Sequence, residues 1–529
     1  MLLSKGNAHR LVLALLTLLI VIPGVFLFLS PPAVFPDPGM GFQVLRNMRL
    51  GGGFNTLITP DQGDISQNYA GFLTWWSPGQ YLVPYLFKLV IHVNLGQATA
   101  LTGVAGSLLG FAGFYYFFKR IGFTPFISAI SILFILAQQA SVVPYVFYNG
   151  GEILLFAFEG WFLYGCTAIR KPGIVLVLFV LFSGWLGFFC KSSFIWMYAA
   201  GLCCLWIRLS QNKTAVLGWL KNGLWIALPA IVSLGVIYLS YLSKGETPAS
   251  ASSGIKLSLQ ALGFPLASPV LSGFSADDML HGLIYHTGKP LFGHQWSIIV
   301  LLLFAIISLV LVNLLVRRTQ RREYGLFIVI FYGIAILFFC TVYLQQLTIS
   351  YEARHYRILG LLIVPGTIDL VSRARAHYRV LFGVVFLGIT YTSVQYLIKG
   401  EHVNKDLAAR GKTGIALPNI DQKSLNQVMK LDQENRNVIF VFVSDDIGLE
   451  IIHNRIITLQ PIGDDLKINT DDYRYEGYGG PLYIVLPESY NGPKEKMIMK
   501  SFPGYTGWNE SMLSTQYVLY SANKKSTAQ

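Results

Sequence analysis

Three stretches of this 529-residue chain gather ionisable side chains where the flanking sequence is apolar. Residues 50–96 read LGGGFNTLITPDQGDISQNYAGFLTWWSPGQYLVPYLFKLVIHVNLG and carry Asp61 and Asp64, then Tyr69, Trp75 and Trp76. Carboxylates three apart share one face of a helix or one edge of a loop. Beside an aromatic, low-dielectric surface a carboxylate has its pKa raised toward the range of a general base, or it binds a metal ion. An ordinary solvated loop is the competing reading. Lys191 stands alone in GFFCKSSFIW, between two apolar runs, where a lysine snorkels to headgroups or meets an anion. Residues 350–366, SYEARHYRILGLLIVPG, crowd Glu352, Arg354, His355 and Arg357 at the start of another apolar run. Charges there are costly unless paired, and the planar fork of arginine suits a phosphate or a carboxylate. A salt-bridge set that only ties helices together is the alternative. Glu152 in YNGGE, and His281 and His286, are weaker candidates that read more simply as structural or exposed.

The elements that must position these groups are membrane spans. The chain is 53% hydrophobic and only 13% charged, with repeated apolar runs of the roughly 20 residues needed to cross a hydrocarbon core. A basic head with Lys5 and Arg10 precedes the first run, 11–30, and Pro31 and Pro32 follow it, which favours a retained helix over a cleaved leader. Further spans are expected at 98–118, 121–143, 152–168, 173–190, 193–207, 223–242, 296–316, 324–345, 356–370 and 380–398. The net charge of +13 belongs to this part: residues 1–400 hold 26 Lys and Arg against 11 Asp and Glu, and residues 401–529 hold 14 against 16. Short basic loops mark the cytoplasmic side of a membrane, so the surplus is no footprint for nucleic acid. All five cysteines lie in or beside apolar runs without metal-ligand spacing and read as small packing residues.

Charge placement decides the topology. If residues 79–94 lie on the membrane surface as an amphipathic helix rather than cross it, the basic head and all later basic clusters share one side. That predicts eleven spans, with the N-terminus in the cytoplasm and the C-terminus outside. The 31–97 loop, the 243–295 loop and the tail then face outward together, and the long 243–295 loop suggests a lid. From about 401 to 529 the pattern changes: strands are predicted at 437–444, 481–487 and 515–522 and a helix at 419–436, the makings of a small extracytoplasmic α/β domain. Internal repeats, heptads, a Walker A loop, a GxGxxG loop and an HExxH pair are absent.

Three segments give the chain a resemblance to the glycosyltransferase C superfamily of polytopic enzymes. These are SPGQYLVPYLFKLVIHVNLG at 77–96 with KRIG at 119–122, CKSSF at 190–194, and YEARHYRILGLLIVP at 351–365. The resemblance implies a catalytic module over 1–400 and transfer of a sugar from a polyprenyl-phosphate donor to a glycan, lipid or protein acceptor at the outer face of an inner (plasma) membrane. It implies Asp61 or Asp64 as the base. Lys191, Arg354 and Arg357 would hold the donor phosphate, with Glu352, His355 and Tyr81 beside them. The first loop departs from the superfamily's commonest form, an adjacent acidic pair before a double proline. Which Asp acts, and whether magnesium or manganese takes part, therefore stay open. The alternatives are a transporter or flippase of lipid-linked or anionic substrates, a ligase or polymerase of lipid-linked glycans, and a non-catalytic scaffold.

Overall fold

The computed structural model describes residues 8–245, 254–279, 294–463, 466 and 473–524; His281 and His286 lie outside them. The first part of the chain forms α1 (Ala8–Leu29), β1 (Ala33–Val34), α2 (Pro36–Arg49), β2 (Thr56–Pro60), β3 (Asn68–Phe72) and α3 (Gly79–Ile91). Next come α4 (Leu95–Arg120), α5 (Pro125–Leu136), α6 (Gln139–Val142), β4 (Phe147–Tyr148), α7 (Gly151–Ala168), α8 (Ile174–Cys190), α9 (Phe194–Ser210) and α10 (Val216–Ser240). Then follow α11 (Leu259–Gly273), α12 (Ala276–Met279), α13 (His294–Thr319), α14 (Arg322–Leu344), α15 (Arg357–Arg373) and α16 (Ala376–His402). The tail holds β5 (Ala409–Arg410), β6 (Ala416–Leu417), α17 (Gln422–Glu434), β7 (Ile439–Phe442), β8 (Arg455–Thr458), β9 (Leu482–Pro487), α18 (Pro493–Lys500), β10 (Tyr505–Met512) and β11 (Tyr517–Lys524).

This is a polytopic α-helical membrane protein with a C-terminal mixed β-sheet domain. Among the described residues α1, α4, α10, α13, α14 and α16 are long and apolar enough to cross a bilayer. A seventh span results if α5 and the segment Gln139–Tyr145, bent 76° apart, count as one. The other four segments expected to span fold as α7, α8, α9 and α15, each 17 or 18 residues long. Helix α3 leaves Leu86, Leu89, Val90 and Ile91 exposed, as an interfacial helix would.

The 243–295 segment departs from the expected outer loop. Its α11 carries Pro265 and Pro269, which mask the helical pattern, yet Ala261, Phe264, Ala267 and Leu271 are fully buried and the helix packs against α13, α14 and α15. Gly273 and Gly360 let α11 and α15 cross closely: a Cβ on Gly360 would stand 2.5 Å from the backbone of Ser272.

The C-terminal sheet runs β10-β11-β9-β7-β8, with β7 parallel to both β8 and β9 and the β9, β11 and β10 pairings antiparallel. The IFVF of β7 is buried at every position, the mark of a central strand covered on both faces. Strands β7, β9 and β11 and helix α17 fall where the sequence predicts them; β8 is too short and β10 too polar to announce itself. The segment between α1 and α3 is tied to this domain. Ile65, at the tip of the β2–β3 hairpin, joins the core formed by Ile439, Val441, Ile457 and Ile484. From α2, Gln43 donates to the Asp445 carbonyl at 2.9 Å and Arg46 to those of Ile451 and Asn454.

Candidate functional site

Two parallel residue pairs set the site. Strands β1 and β4 pair Ala33 with Phe147 and Val34 with Tyr148, and the Phe35 N–H donates to the Tyr148 carbonyl at 3.1 Å. The chain leaves β1 through Pro36 into α2 and leaves β4 through Asn149 and Gly150 into α7. Asp37 and Glu152, each the second residue of its helix, are thereby brought together. A helix start offers unsatisfied N–H groups and a partial positive charge, both favourable to a carboxylate. The turn into α7 requires glycine: Gly150 has φ +55°, and a Cβ there would stand 2.8 Å from Gln80 Oε1.

The cations arrive from other helix ends. Lys191 terminates α8, its N–H on the Gly187 carbonyl, and its Nζ lies 2.5 Å from Glu152 Oε1. Arg354 sits in the single 3-10 turn that opens α15; its Nη1 is 3.1 Å from the same Glu152 oxygen and 3.5 Å from Asp37 Oδ2, and its Nε meets Glu352. Arg357 donates to Ser141 Oγ at 3.0 Å and lies over the Phe156 ring at 4.8 Å. Glu152, Glu352, Arg354 and Arg357 line a cavity of 260 Å³ together with Asn149, whose buried Oδ1 has no partner among the described residues. A buried acceptor left unpaired on a cavity wall is where a ligand's donor belongs.

Electrostatics follow the geometry. Burial raises the Asp37 carboxyl above its usual range, the Arg354 charge pulls it partly back, and Glu152 pushes it up again. Burial works against the Arg354 guanidinium, but Glu152, Glu352 and Asp37 outweigh it and hold the charge on. His355 packs near Phe339 with a ring nitrogen 3.3 Å from Ser350 Oγ. Burial, then Lys191 and Arg354, keep it well below its ordinary range, so the ring is neutral at pH 7.

Lys191 and Arg354 thus meet at Glu152, Glu352 pairs with Arg354, and Arg357 lines the same cavity as Arg354. Asp61 and Asp64 lie elsewhere. Asp61 Oδ1 accepts the N–H groups of Gly63 and Asp64 at 2.8 and 3.1 Å, closing the turn between β2 and β3. Asp64 is exposed and held below the usual carboxylate range by hydrogen bonds from Ser66, with Arg455 of the C-terminal domain adding a little. Neither lines the cavity. The reason is α2: its 14 residues carry the chain about 20 Å along the domain before the hairpin begins. Tyr81 also has another task, its hydroxyl donating to buried Asn55 Oδ1 at 2.7 Å. Asp37 is the carboxylate that the sequence reading passes over; its signal was PDPG directly after the first span, an acid and a proline at a helix start. Among the described residues no group of three or more His, Cys, Asp or Glu is placed to hold a metal, and Asp37 and Glu152 both turn an oxygen to Arg354.

No family model matches the chain, and no curated protein does either. Solved structures similar to it include ArnT from Cupriavidus metallidurans bound to undecaprenyl phosphate, at 12% identity and TM-score 0.48 over 98% of both chains. Arabinofuranosyltransferase AftD from Mycobacteria matches at 13% and 0.49 over 99% of this chain and 40% of its own. The oligosaccharyltransferase of Archaeoglobus fulgidus matches at 11% and 0.48 over 99% of this chain and 75% of its own. Likeness at this level assigns no substrate and no residue role to the present chain.

Proposed function

We propose that this chain transfers a sugar from a polyprenyl-phosphate donor to a glycan, lipid or protein acceptor at the outer face of an inner (plasma) membrane. The observation that carries the reading is the convergence of Lys191, Arg354 and Asp37 around Glu152, with Arg354 and Arg357 on the wall of a cavity at one end of an apolar bundle. The opposite ends of the same helices support the orientation. There Arg120 and Arg208 reach the Thr167 carbonyl at the end of α7, and Arg321 and Arg373 pair with Asp369 near the end of α15. A basic end of this kind belongs in the cytoplasm. In this reading α7, α8, α9 and α15 cross as well, giving eleven spans with the charged cluster, the first loop and the C-terminal domain outside. The resemblance of residues 77–96, 190–194 and 351–365 to the glycosyltransferase C superfamily points the same way.

The chemistry is one displacement. An acceptor hydroxyl attacks the anomeric carbon, a new C–O bond forms, and the bond from that carbon to the phosphate oxygen breaks with its electron pair on the leaving polyprenyl phosphate. Negative charge grows on that phosphate in the transition state, where Arg354, Arg357 and Lys191 stabilise it most. Glu152 holds Arg354 and Lys191 in place beforehand, so no reorganisation is needed at that moment. Asp37 takes the hydroxyl proton; its raised pKa makes it a better base than an exposed aspartate. The test is a proteoliposome assay with a radiolabelled polyprenyl-phosphate sugar. Asp37→Asn should cut transfer at least 100-fold with binding of the donor retained, and Arg354→Gln should lose both. Full transfer by Asp37→Asn, or label carried across the vesicle with no new glycosidic bond, defeats the proposal.

A further inference from the structure

The three mutually parallel strands of the C-terminal sheet, β7, β8 and β9, end at one place. Asp445 and Asp446 follow β7, Gln460 follows β8 and Tyr490 follows β9, and with Tyr517 and Trp76 of the first outer loop they line a cavity of 880 Å³. The loops beyond the carboxyl ends of parallel strands are where such sheets hold ligands. Phe35 and Phe147, from the β1 and β4 segments, line this cavity and the 260 Å³ cavity alike, so the two adjoin. Their charged linings differ. The inner cavity sets Arg354 and Arg357 beside Glu152, Asp277 and Glu352, whereas the described lining of the outer one holds two carboxylates and no lysine or arginine, in a chain of net charge +13.

The acidic pair is held there by the fold. Asp446 accepts a hydrogen bond from Ser444, α2 comes close enough that Gly39 faces the Asp445 side chain, and Gln43 fixes the Asp445 carbonyl. Burial, then Asp446 and Asp37, push Asp445 up to about 6. A fold that keeps adjacent carboxylates in a sheltered cavity bears a cost that a purely structural loop would shed.

We propose that the outer cavity is the acceptor subsite and that it takes a saccharide without negative charge, neutral or amino-substituted. Tyrosine and tryptophan rings offer flat apolar faces to the C–H faces of sugar rings, and their polar edges stay available. Carboxylates accept hydrogen bonds from hydroxyl or ammonium groups and repel an anionic chain. At 880 Å³ the space lies near the top of the roughly 300–1,000 Å³ range of small-molecule sites and admits more than one sugar ring. The word acceptor rests on the transfer reaction proposed above; binding of the saccharide does not.

The test separates the two. The full-length chain in lipid nanodiscs, without donor, is titrated with chitotriose, with its de-N-acetylated triamine and with tri-galacturonic acid, followed by saturation-transfer NMR. Chitotriose and the triamine should bind and the uronate at least tenfold more weakly, a comparison made on the unaltered chain and so independent of any variant's folding. Trp76→Leu and Asp445→Asn should each weaken chitotriose fivefold or more, and Asp445→Glu should retain it. Equal affinity for the uronate, binding of none of the three, or no loss in either variant overturns the assignment. Chitotriose binding that follows this pattern, beside a failure to move sugar from polyprenyl phosphate, refutes the transferase reading and upholds the saccharide site.

Discussion

Asp445→Asn is expected to make the folded chain more stable above about pH 6 and to leave it unchanged near pH 4. In the fold the Asp445 carboxyl titrates at about 6 instead of 3.8, because it is buried and then because Asp446 and Asp37 stand near. Between those two values the folded chain binds a proton that the unfolded chain has released, so the stability this group supplies is full below 3.8 and is lost as pH rises through 6. About two pKa units at 1.36 kcal/mol each set the loss at about 3 kcal/mol above pH 7. Asparagine keeps the shape and never ionises, so it escapes that loss. Thermal or denaturant unfolding of the purified protein at pH 4, 5, 6, 7 and 8 reads the difference between variant and parent. A gap that widens from pH 4 to pH 7 and then levels supports the reasoning; a constant gap, or a less stable variant at pH 8, refutes it.

Other substitutions test the cluster and its surroundings. Glu152→Gln leaves Lys191 and Arg354 without their shared anion in a partly buried place, a break that costs about 3–5 kcal/mol, read as loss of the folded fraction in detergent. Asp61→Ala removes the acceptor of two backbone N–H groups and should cost about 1 kcal/mol, with transfer per folded molecule unchanged; a 100-fold fall in transfer would return the base to that loop. Tyr81→Phe leaves Asn55 Oδ1 without a buried donor, and about 1–3 kcal/mol of stability should go while donor affinity stays the same in a binding assay.

The bundle was legible because lipid imposes a length on every crossing, and α1, α4, α13 and α14 meet it openly. Lys191, Arg354 and Arg357 were legible for the same reason, since a cation at the edge of an apolar run asks for a partner. The carboxylate partner was harder to read. Asp37 lies between two prolines in a stretch that reads as a turn, and only the pairing of β1 with β4, two residues on each side, shows that it reaches Glu152. Asp61 and Asp64 drew notice by sitting before a run of aromatics, but nearness along the chain says nothing about the helix that separates them from the cluster. Helix α11 stayed hidden because its two prolines and several small residues look like a loop until α13, α14 and α15 bury them. A weak local pattern supported by tertiary packing is what single-sequence periodicity reads least well.

Ile65 has a consequence for how the molecule is made. Arg455 grips the Ile65 carbonyl across 390 residues of chain, and the Ile65 side chain belongs to the core of a sheet translated long after it. During synthesis the hairpin is therefore made early and waits, its apolar tip uncovered, until strands β7 to β11 have followed it. The hairpin and the sheet leave the ribosome far apart in time, and the core they share acquires a settled form only when the second arrives.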